Sequence, residues 1–228
     1  MVQAARAPDR RSGGDSARTN VEAKVARLRA EGRLKEVASL VIESYGSEVL
    51  SFLELMLRDH TDSNDAFAQA CEDLWKGLAR FEGRAAMKTW FFTLARHAAL
   101  RLRRSPHRQS PHLGELSDIA EIAERVRSRT KPYLSTNVKL GFAAIRDSLD
   151  DSDRMLLVLR VDRAMSWNDV ARVMADEGDG ESDDEVSRVA ARLRKRFQSV
   201  KQTIRERARE TGLIAGLADT GIDPDAKR

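Results

Sequence analysis

Acidic residues are missing from one long stretch of this sequence. Between Glu82 and Glu115 there is no Asp or Glu, although a third of the chain is charged. Cysteine is nearly absent as well: with Cys71 alone, no intramolecular disulfide can form, and a reducing compartment is expected. Proline (5) and glycine (13) are too sparse to punctuate many short strands in 228 residues. The apolar positions mostly recur at three and four residues, so a nearly all-α protein is expected. No apolar run reaches the length of a signal-peptide core or a membrane span, which predicts a soluble, cytoplasmic protein with no membrane partner. There is also no phosphate loop, no Ser-His-Asp or Cys-His arrangement, no metal-ligand spacing and no carboxylate pair in apolar surroundings. These absences argue against an enzyme, a bound cofactor and a small-molecule substrate.

The acid-free stretch itself carries chemistry. Gly83 to Arg104 reads GRAAMKTWFFTLARHAALRLRR, and the gap holds Arg84, Lys88, Arg96, Arg101, Arg103, Arg104 and Arg108. Trp90, Phe91 and Phe92 lie among these bases. Cations that neutralise phosphates beside rings that stack on bases suit a nucleic-acid surface. A core helix with a solvated basic face is the alternative that composition leaves open. The net charge is only +4, from 40 basic and 36 acidic residues, so local patches matter more than the total.

Residues 1 to about 18 contain almost no large apolar groups and are expected to form a flexible tail. A helical pattern starts at Val21 and breaks at Gly32. Leu34, Val37, Val41 and Tyr45 share one face, and Val49, Leu50, Leu53, Met56 and Leu57 share the next. Tyr45-Gly46-Ser47 is expected to separate two helices there, and Asp59 to Asp65 reads as turn-like. The following helix aligns Phe67, Ala70, Cys71, Leu74, Trp75 and Leu78 in acidic surroundings, directly before the basic aromatic segment. Two neighbouring helices of opposite charge suggest two different partners. After the loop Phe81–Arg84, a helix should run from about Ala85 to Arg104, with Met87, Trp90, Phe91, Leu94 and Ala98 as its apolar stripe. On that pattern Trp90 belongs to the core, and Phe92 is the candidate for an exposed ring. Ser105-Pro106 stops the helix. Residues 105–132 read as a linker holding a short amphipathic helix (Ile119, Ile122, Val126), and its His107 and His112 read as solvated.

A second domain is expected over 133–212, with tails at 1–32 and 213–228. Val138, Phe142 and Ile145 lie on one helix. Met155–Val161 forms another, with Ser152 and Asp153 offering caps. Ser166 and Asp169 have capping-box spacing, as do Ser182 and Glu185. Between these two starts, Asp176 to Glu185 holds seven acids but lacks the glycine and closing glutamate of a calcium loop. The final helix carries Val186, Val189, Leu193, Phe197, Val200 and Ile204 on one stripe. Nine bases and one acid, Glu206, lie between Val186 and Arg209. Helix, turn, helix, connector and basic helix is the outline of a helix-turn-helix.

With these elements in order, the sequence resembles the sigma factors of bacterial RNA polymerase, specifically the two-domain extracytoplasmic-function group of the sigma-70 family. The resemblance is carried by Tyr45 to Phe52 (YGSEVLSF), Asp62 to Phe67 (DSNDAF), Leu74-Trp75, Phe81 to Arg84 (FEGR), Thr89 to Leu100 (TWFFTLARHAAL) and Leu102-Arg103-Arg104. In the second half it lies in Asp153 to Arg160, Ser166 to Ala171 and Leu193 to Phe197, with Val200-Lys201 and Ile204. It covers residues 33–104 and 133–212.

The resemblance implies that residues 33–104 dock on core RNA polymerase, on the β′ clamp helices, through Asp62, Asp65, Glu72, Asp73 and Trp75. It implies that the loop from Gly83 and the helix after it open the −10 promoter element and capture a base, with Arg84, Lys88, Phe92, Arg96, His97, Arg101, Arg103 and Arg104 at the DNA. Opening costs a few kcal/mol per unstacked base, and a pocket for the extruded base recovers part of it. The second domain would then sit at the polymerase β flap and read the −35 element through Arg188, Arg192, Arg194, Lys195, Arg196 and Lys201. Control by an anti-sigma factor is a further implication. Departures from the family pattern are His97 where Asn is usual, Arg101 where Asp is frequent, Ala68-Gln69 in place of Gln-Glu, and the acidic insertion Asp176–Asp184. The competing function class is a helix-turn-helix repressor or activator that binds duplex DNA without polymerase.

Overall fold

The computed structural model describes residues 10–104, 117–129, 143–175 and 182–213, with side chains from Asn20 and, in the second segment, from Ile119. It divides into two compact units, 1–130 and 131–228. Among the described residues there is no strand, and the chain is all-α as its periodicity requires. No helix among them is long and apolar enough to cross a membrane.

The first unit contains α1 (Arg10–Ala30), α2 (Leu34–Leu57), α3 (His60–Gly77), a 3-10 turn (Leu78–Arg80), α4 (Met87–Arg104) and α5 (Ser117–Arg129). Gly32 sits at φ 72° and makes the break between α1 and α2, where a side chain would be strained. No second break follows. Helix α2 runs unbroken through Tyr45-Gly46-Ser47, contrary to the expectation from sequence. Gly46 is needed there for close packing instead: a Cβ on it would lie 3.0 Å from a Val126 methyl and 3.2 Å from Phe67 Cζ. The glycine lets α3 and α5 approach the backbone of α2.

The turn-like reading of Asp59–Asp65 is corrected in the same way. Asp59 is the N-cap of α3, its side chain accepting from Asp62 N–H at 2.8 Å, so the polar cluster forms a helix start. Helix α2 ends one residue earlier, at Arg58, which adopts the left-handed conformation (φ 59°). The core is built from Val37, Val41, Leu50, Phe52 and Leu53 of α2, Phe67 and Leu74 of α3, and Phe91 and Phe92 of α4, all at 0–1% exposure. Cys71 is buried among them, and burial pushes its thiol above the usual range.

Two segments read as tail and linker pack into this unit. Helix α1 buries Val25 and Leu28, and α5 buries Ile119, Ile122, Ala123 and Val126. The apolar spacing was visible for both, but each carries only a narrow stripe among many charges. Residues 1–9 and 105–116, including His107, Arg108 and His112, lie outside the described residues.

The second unit contains a helical piece at 143–147 (α6), α7 (Asp151–Leu157) continuing as a π-helical turn (Val158–Asp162), α8 (Trp167–Met174) and α9 (Asp183–Glu210). Helix α7 is capped by Asp150, two residues before the first of the expected caps. Ala164 at φ 50° turns the chain between the π-helical turn and α8. Ser182 and Glu185 form a reciprocal capping box at the start of α9. At α8 the Asp169 amide donates to the Ser166 hydroxyl, which itself donates to the Asp169 carboxylate. Residues 176–181 of the acidic insertion and 214–228 lie outside the described residues.

Candidate nucleic-acid and partner interface

Helix α3 gathers its acids by helical spacing. Asp62, Asp65, Gln69, Glu72, Asp73 and Lys76 recur at three and four residues and follow one stripe. Asp62 is exposed, and Asp65, Glu72 and Asp73 are half-buried. Gln69 Nε2 donates to Asp73 (2.9 Å) and Glu72 (3.2 Å), and Lys76 pairs with Glu72. Trp75 is half-buried and stands on the flank of this stripe rather than within it. The face is therefore acidic, ordered and only partly self-neutralised.

Helix α4 divides the predicted bases by direction. Its buried face is formed by Met87, Lys88, Phe91, Phe92, Ala95, Arg96, Ala98 and Ala99. Trp90, Leu94, His97, Arg101 and Arg104 lie on the opposite ridge, and none of them is buried. Phe92, expected to be the exposed ring, has no exposure and packs 5.3 Å from Phe52. Trp90, expected in the core, is the half-exposed one. It stacks on Phe81 at 4.6 Å and covers Gly77, where a Cβ would come within 2.8 Å of its ring. Two residues apart, Trp90 and Phe92 differ by about 200° around the helix, and sequence favoured the wrong one for the core.

Lys88 is corrected with Phe92. Its ammonium is held by Glu48 at 2.7 Å, over the rings of Tyr45 and Phe92, so it neutralises a partner inside the unit. Arg96 is likewise only 8% exposed, too enclosed for a phosphate contact in this conformation. Of the remaining bases, Arg101 pairs with Asp73 of α3, and Arg103 donates to Met56 O at 3.3 Å. Arg104 is exposed at the end of the ridge, and Arg84 is exposed in the loop 81–86 beside Glu82, at 2.7 Å. The ridge and the loop together form a surface whose one acid, Glu82, is paired with Arg84, next to the acidic stripe of α3.

The bases of α9 also separate by spacing. Val186, Ala190, Leu193 and Val200 are buried, and Arg188, Arg192 and Lys195 stand opposite them on one exposed stripe. Arg194 leans toward Trp167, its guanidinium 5.8 Å from the ring, and Lys201 lies 5.7 Å from the Phe197 ring. Trp167 is half-buried against Phe197 (5.6 Å, edge-on) with Arg160 at 5.0 Å. Arg196 turns back to the start of α7, where it donates to Asp153 and Asp150. The Asp153 bond, more than any other contact, holds the Arg196 guanidinium in its charged form. Arg196 thus ties α9 to α7, and sequence placed it among the DNA bases.

Asp150 carries the other side of that tie. The Asp153 amide donating to its carboxylate (2.8 Å), with Arg196 nearby, holds it below the ordinary range. A carboxyl with a depressed folded pKa stabilises above its unfolded pKa, near about 4, and loses that contribution as pH falls through the folded value. Asp150→Ala should therefore destabilise the second unit by about 1 kcal/mol at pH 7. Thermal melts at several pH values should show the difference shrinking below about pH 4; a pH-independent difference would contradict the role.

Comparison with known proteins bears on the first unit above all. Residues 41–109 match the family model of sigma-70 region 2. Over 67 residues the chain is 28% identical to the ECF RNA polymerase sigma factor SigX of Bacillus subtilis (strain 168), covering 29% of this chain and 34% of that protein. Over 133 residues it is 23% identical to the RNA polymerase sigma factor YlaC of the same organism, covering 57% of this chain and 75% of that protein. The match thus spans about a third of one relative and three quarters of the other. No solved structure matches the chain. Residues 41–109, on α2 to α4, are thus similar to sigma-70 region 2, and both relatives are RNA polymerase sigma factors.

Proposed function

We propose that this protein is a dissociable specificity subunit of bacterial RNA polymerase, acting in the cytoplasm. The family it resembles is one of non-enzymatic transcription initiation factors. The observation that carries the proposal is the pairing, inside the matched region, of an acidic stripe on α3 with the acid-free ridge of α4 and the loop before it. Asp62, Asp65 and the half-buried Glu72 and Asp73 dock on basic helices of the core enzyme. The loop 81–86 and the ridge Trp90, His97, Arg101 and Arg104 meet and open the −10 element. Helices α7 to α9 act as a helix-turn-helix, with Arg188, Arg192 and Lys195 entering the −35 element.

The test of docking uses the full chain and purified bacterial core polymerase. Asp62→Lys with Asp65→Lys should weaken co-elution with core at least about ten-fold while the thermal melt stays within a few degrees, because Asp62 is exposed and neither side chain is in the core. Unchanged co-elution would remove α3 from the interface. The test of the second unit uses a duplex selected from a randomised library by the wild-type holoenzyme. Arg192→Ala with Lys195→Ala should lower the slope of log affinity against log salt by about one unit per lost phosphate contact. An unaltered slope would mean that these residues face solvent in the complex.

A further inference from the structure

Both ends of the loop 81–86 are held from outside it, by the helix that sequence assigned to a tail. At the far end, Met87 N–H and Lys88 N–H donate to the two carboxylate oxygens of Glu22, at 3.0 and 3.2 Å. The first amides of a helix need acceptors, and a local Ser, Thr, Asp or Asn normally provides one. The residues before Met87 are Gly83, Arg84, Ala85 and Ala86, which offer no such side chain. A carboxylate from another helix takes the place and also complements the positive end of α4. The Tyr45 hydroxyl donates to the same carboxylate at 3.3 Å and fixes it.

At the near end, Arg29 donates to Phe81 O, and its guanidinium stands 4.9 Å over the Phe81 ring. That ring stacks on Trp90, the first residue of the α4 ridge. Glu22 and Arg29 are seven residues apart, two turns of α1, and so point to one side at a separation of roughly 10 Å. Between the two anchors, Glu82, Gly83 and Arg84 are exposed, with Gly83 at φ 77°.

We propose that α1, through the positioning residues Glu22 and Arg29, holds the loop 81–86 at both ends and so sets the shape in which the first unit offers it to DNA. This deepens the promoter-opening reading and rests on it. Neither residue touches DNA. Each fixes backbone whose exposed middle does.

The experiment uses full-length wild-type, Glu22→Ala, Glu22→Gln and Arg29→Ala proteins. It reads amide hydrogen exchange of the free proteins, co-elution with core polymerase, and permanganate reactivity of the selected duplex in the holoenzyme. Glu22→Ala should speed exchange at Met87 and Lys88 about ten-fold or more and cut permanganate reactivity about ten-fold, with core co-elution within two-fold of wild type. Glu22→Gln keeps an acceptor and should fall between. Arg29→Ala should loosen the other end, at Glu82 and Gly83, with the same loss of opening; it also decides the matter if Glu22→Ala does not fold. Unchanged exchange or unchanged opening in a competent holoenzyme overturns the brace alone. A wild-type protein that selects no duplex with core overturns the promoter reading and the brace together.

Discussion

Phe92→Ala should lower the stability of the first unit by about 3–5 kcal/mol, the range for truncating a fully buried phenylalanine. The ring has no solvent exposure and stands between α2 and α4, tilted against Phe52 at 5.3 Å. It also forms part of the enclosure around the Lys88–Glu48 ion pair, whose ammonium lies 5.8 Å from it. Removing the ring leaves a cavity beside a part-buried charge pair and admits more water to it. For a unit of this size the loss corresponds to a fall in melting temperature of roughly 10–20 °C. A circular-dichroism melt of the full chain measures it, with Arg104→Ala as the comparison. Arg104 is exposed on the ridge, and its loss should cost no more than about 0.5 kcal/mol. If Phe92→Ala melted with the wild type, the ring would be a surface group after all.

Gly46→Leu is expected to cost about 2–3 kcal/mol. Replacing a mid-helix glycine ordinarily gains up to about 1 kcal/mol of helix propensity. Here even the first added carbon would sit 3.0 and 3.3 Å from the two Val126 methyls and 3.2 Å from Phe67 Cζ. Three further carbons must displace α5 or force strained rotamers, and overpacking of this kind outweighs the propensity gain. Helix α5 has 13 residues, too few to persist unsupported in water. The substitution should therefore strip exchange protection from Ile119 to Val126 first. Val126→Ala removes the methyls that are struck, so the combination with Gly46→Ala should be less destabilising than the sum of the two single changes. Strict additivity would mean that the glycine and the valine do not meet.

Gly46 also shows what sequence could reveal and what it could not. A glycine between two apolar runs reads as punctuation, because close approach by another helix leaves no mark on the local pattern. The all-α class, the break at Gly32, the α9 capping box and the acid-free α4 were all legible, because each is written in neighbouring residues. The choice between Trp90 and Phe92 was not. The two faces of α4 are both rich in apolar groups, so the stripe through Met87, Phe91 and Ala98 could be drawn on either side. Lys88 and Arg196 were read as DNA contacts because their partners, Glu48 and the pair Asp150 and Asp153, lie 40 or more residues away. Glu22 was invisible for the same reason, since it caps a helix 65 residues further on. Local charge marks a basic or acidic face, and only the fold shows which members of the face are already in use.

The resulting site is smaller than the sequence suggested. On α4, Arg104 remains outward with His97 and Trp90, beside Arg101, which is paired with Asp73, and Arg84 of the loop, which is paired with Glu82. On α9, Arg188, Arg192 and Lys195 remain. Phosphate contacts position a protein on DNA, while the loop and the half-exposed ring are suited to holding unstacked bases. DNA would repel the acidic stripe of α3, which is why the proposed function gives that stripe a separate, basic partner.

Run-off transcription tests this account most directly. Purified full-length protein is mixed with bacterial core polymerase and a template library carrying randomised upstream duplex, and the transcripts are sequenced. The account predicts discrete transcripts from a restricted set of upstream sequences, absent with core alone and lost with Asp62→Lys and Asp65→Lys together. Sequence-selective binding to the duplex by the protein alone, with neither retention on core nor any transcript above the core background, would contradict it.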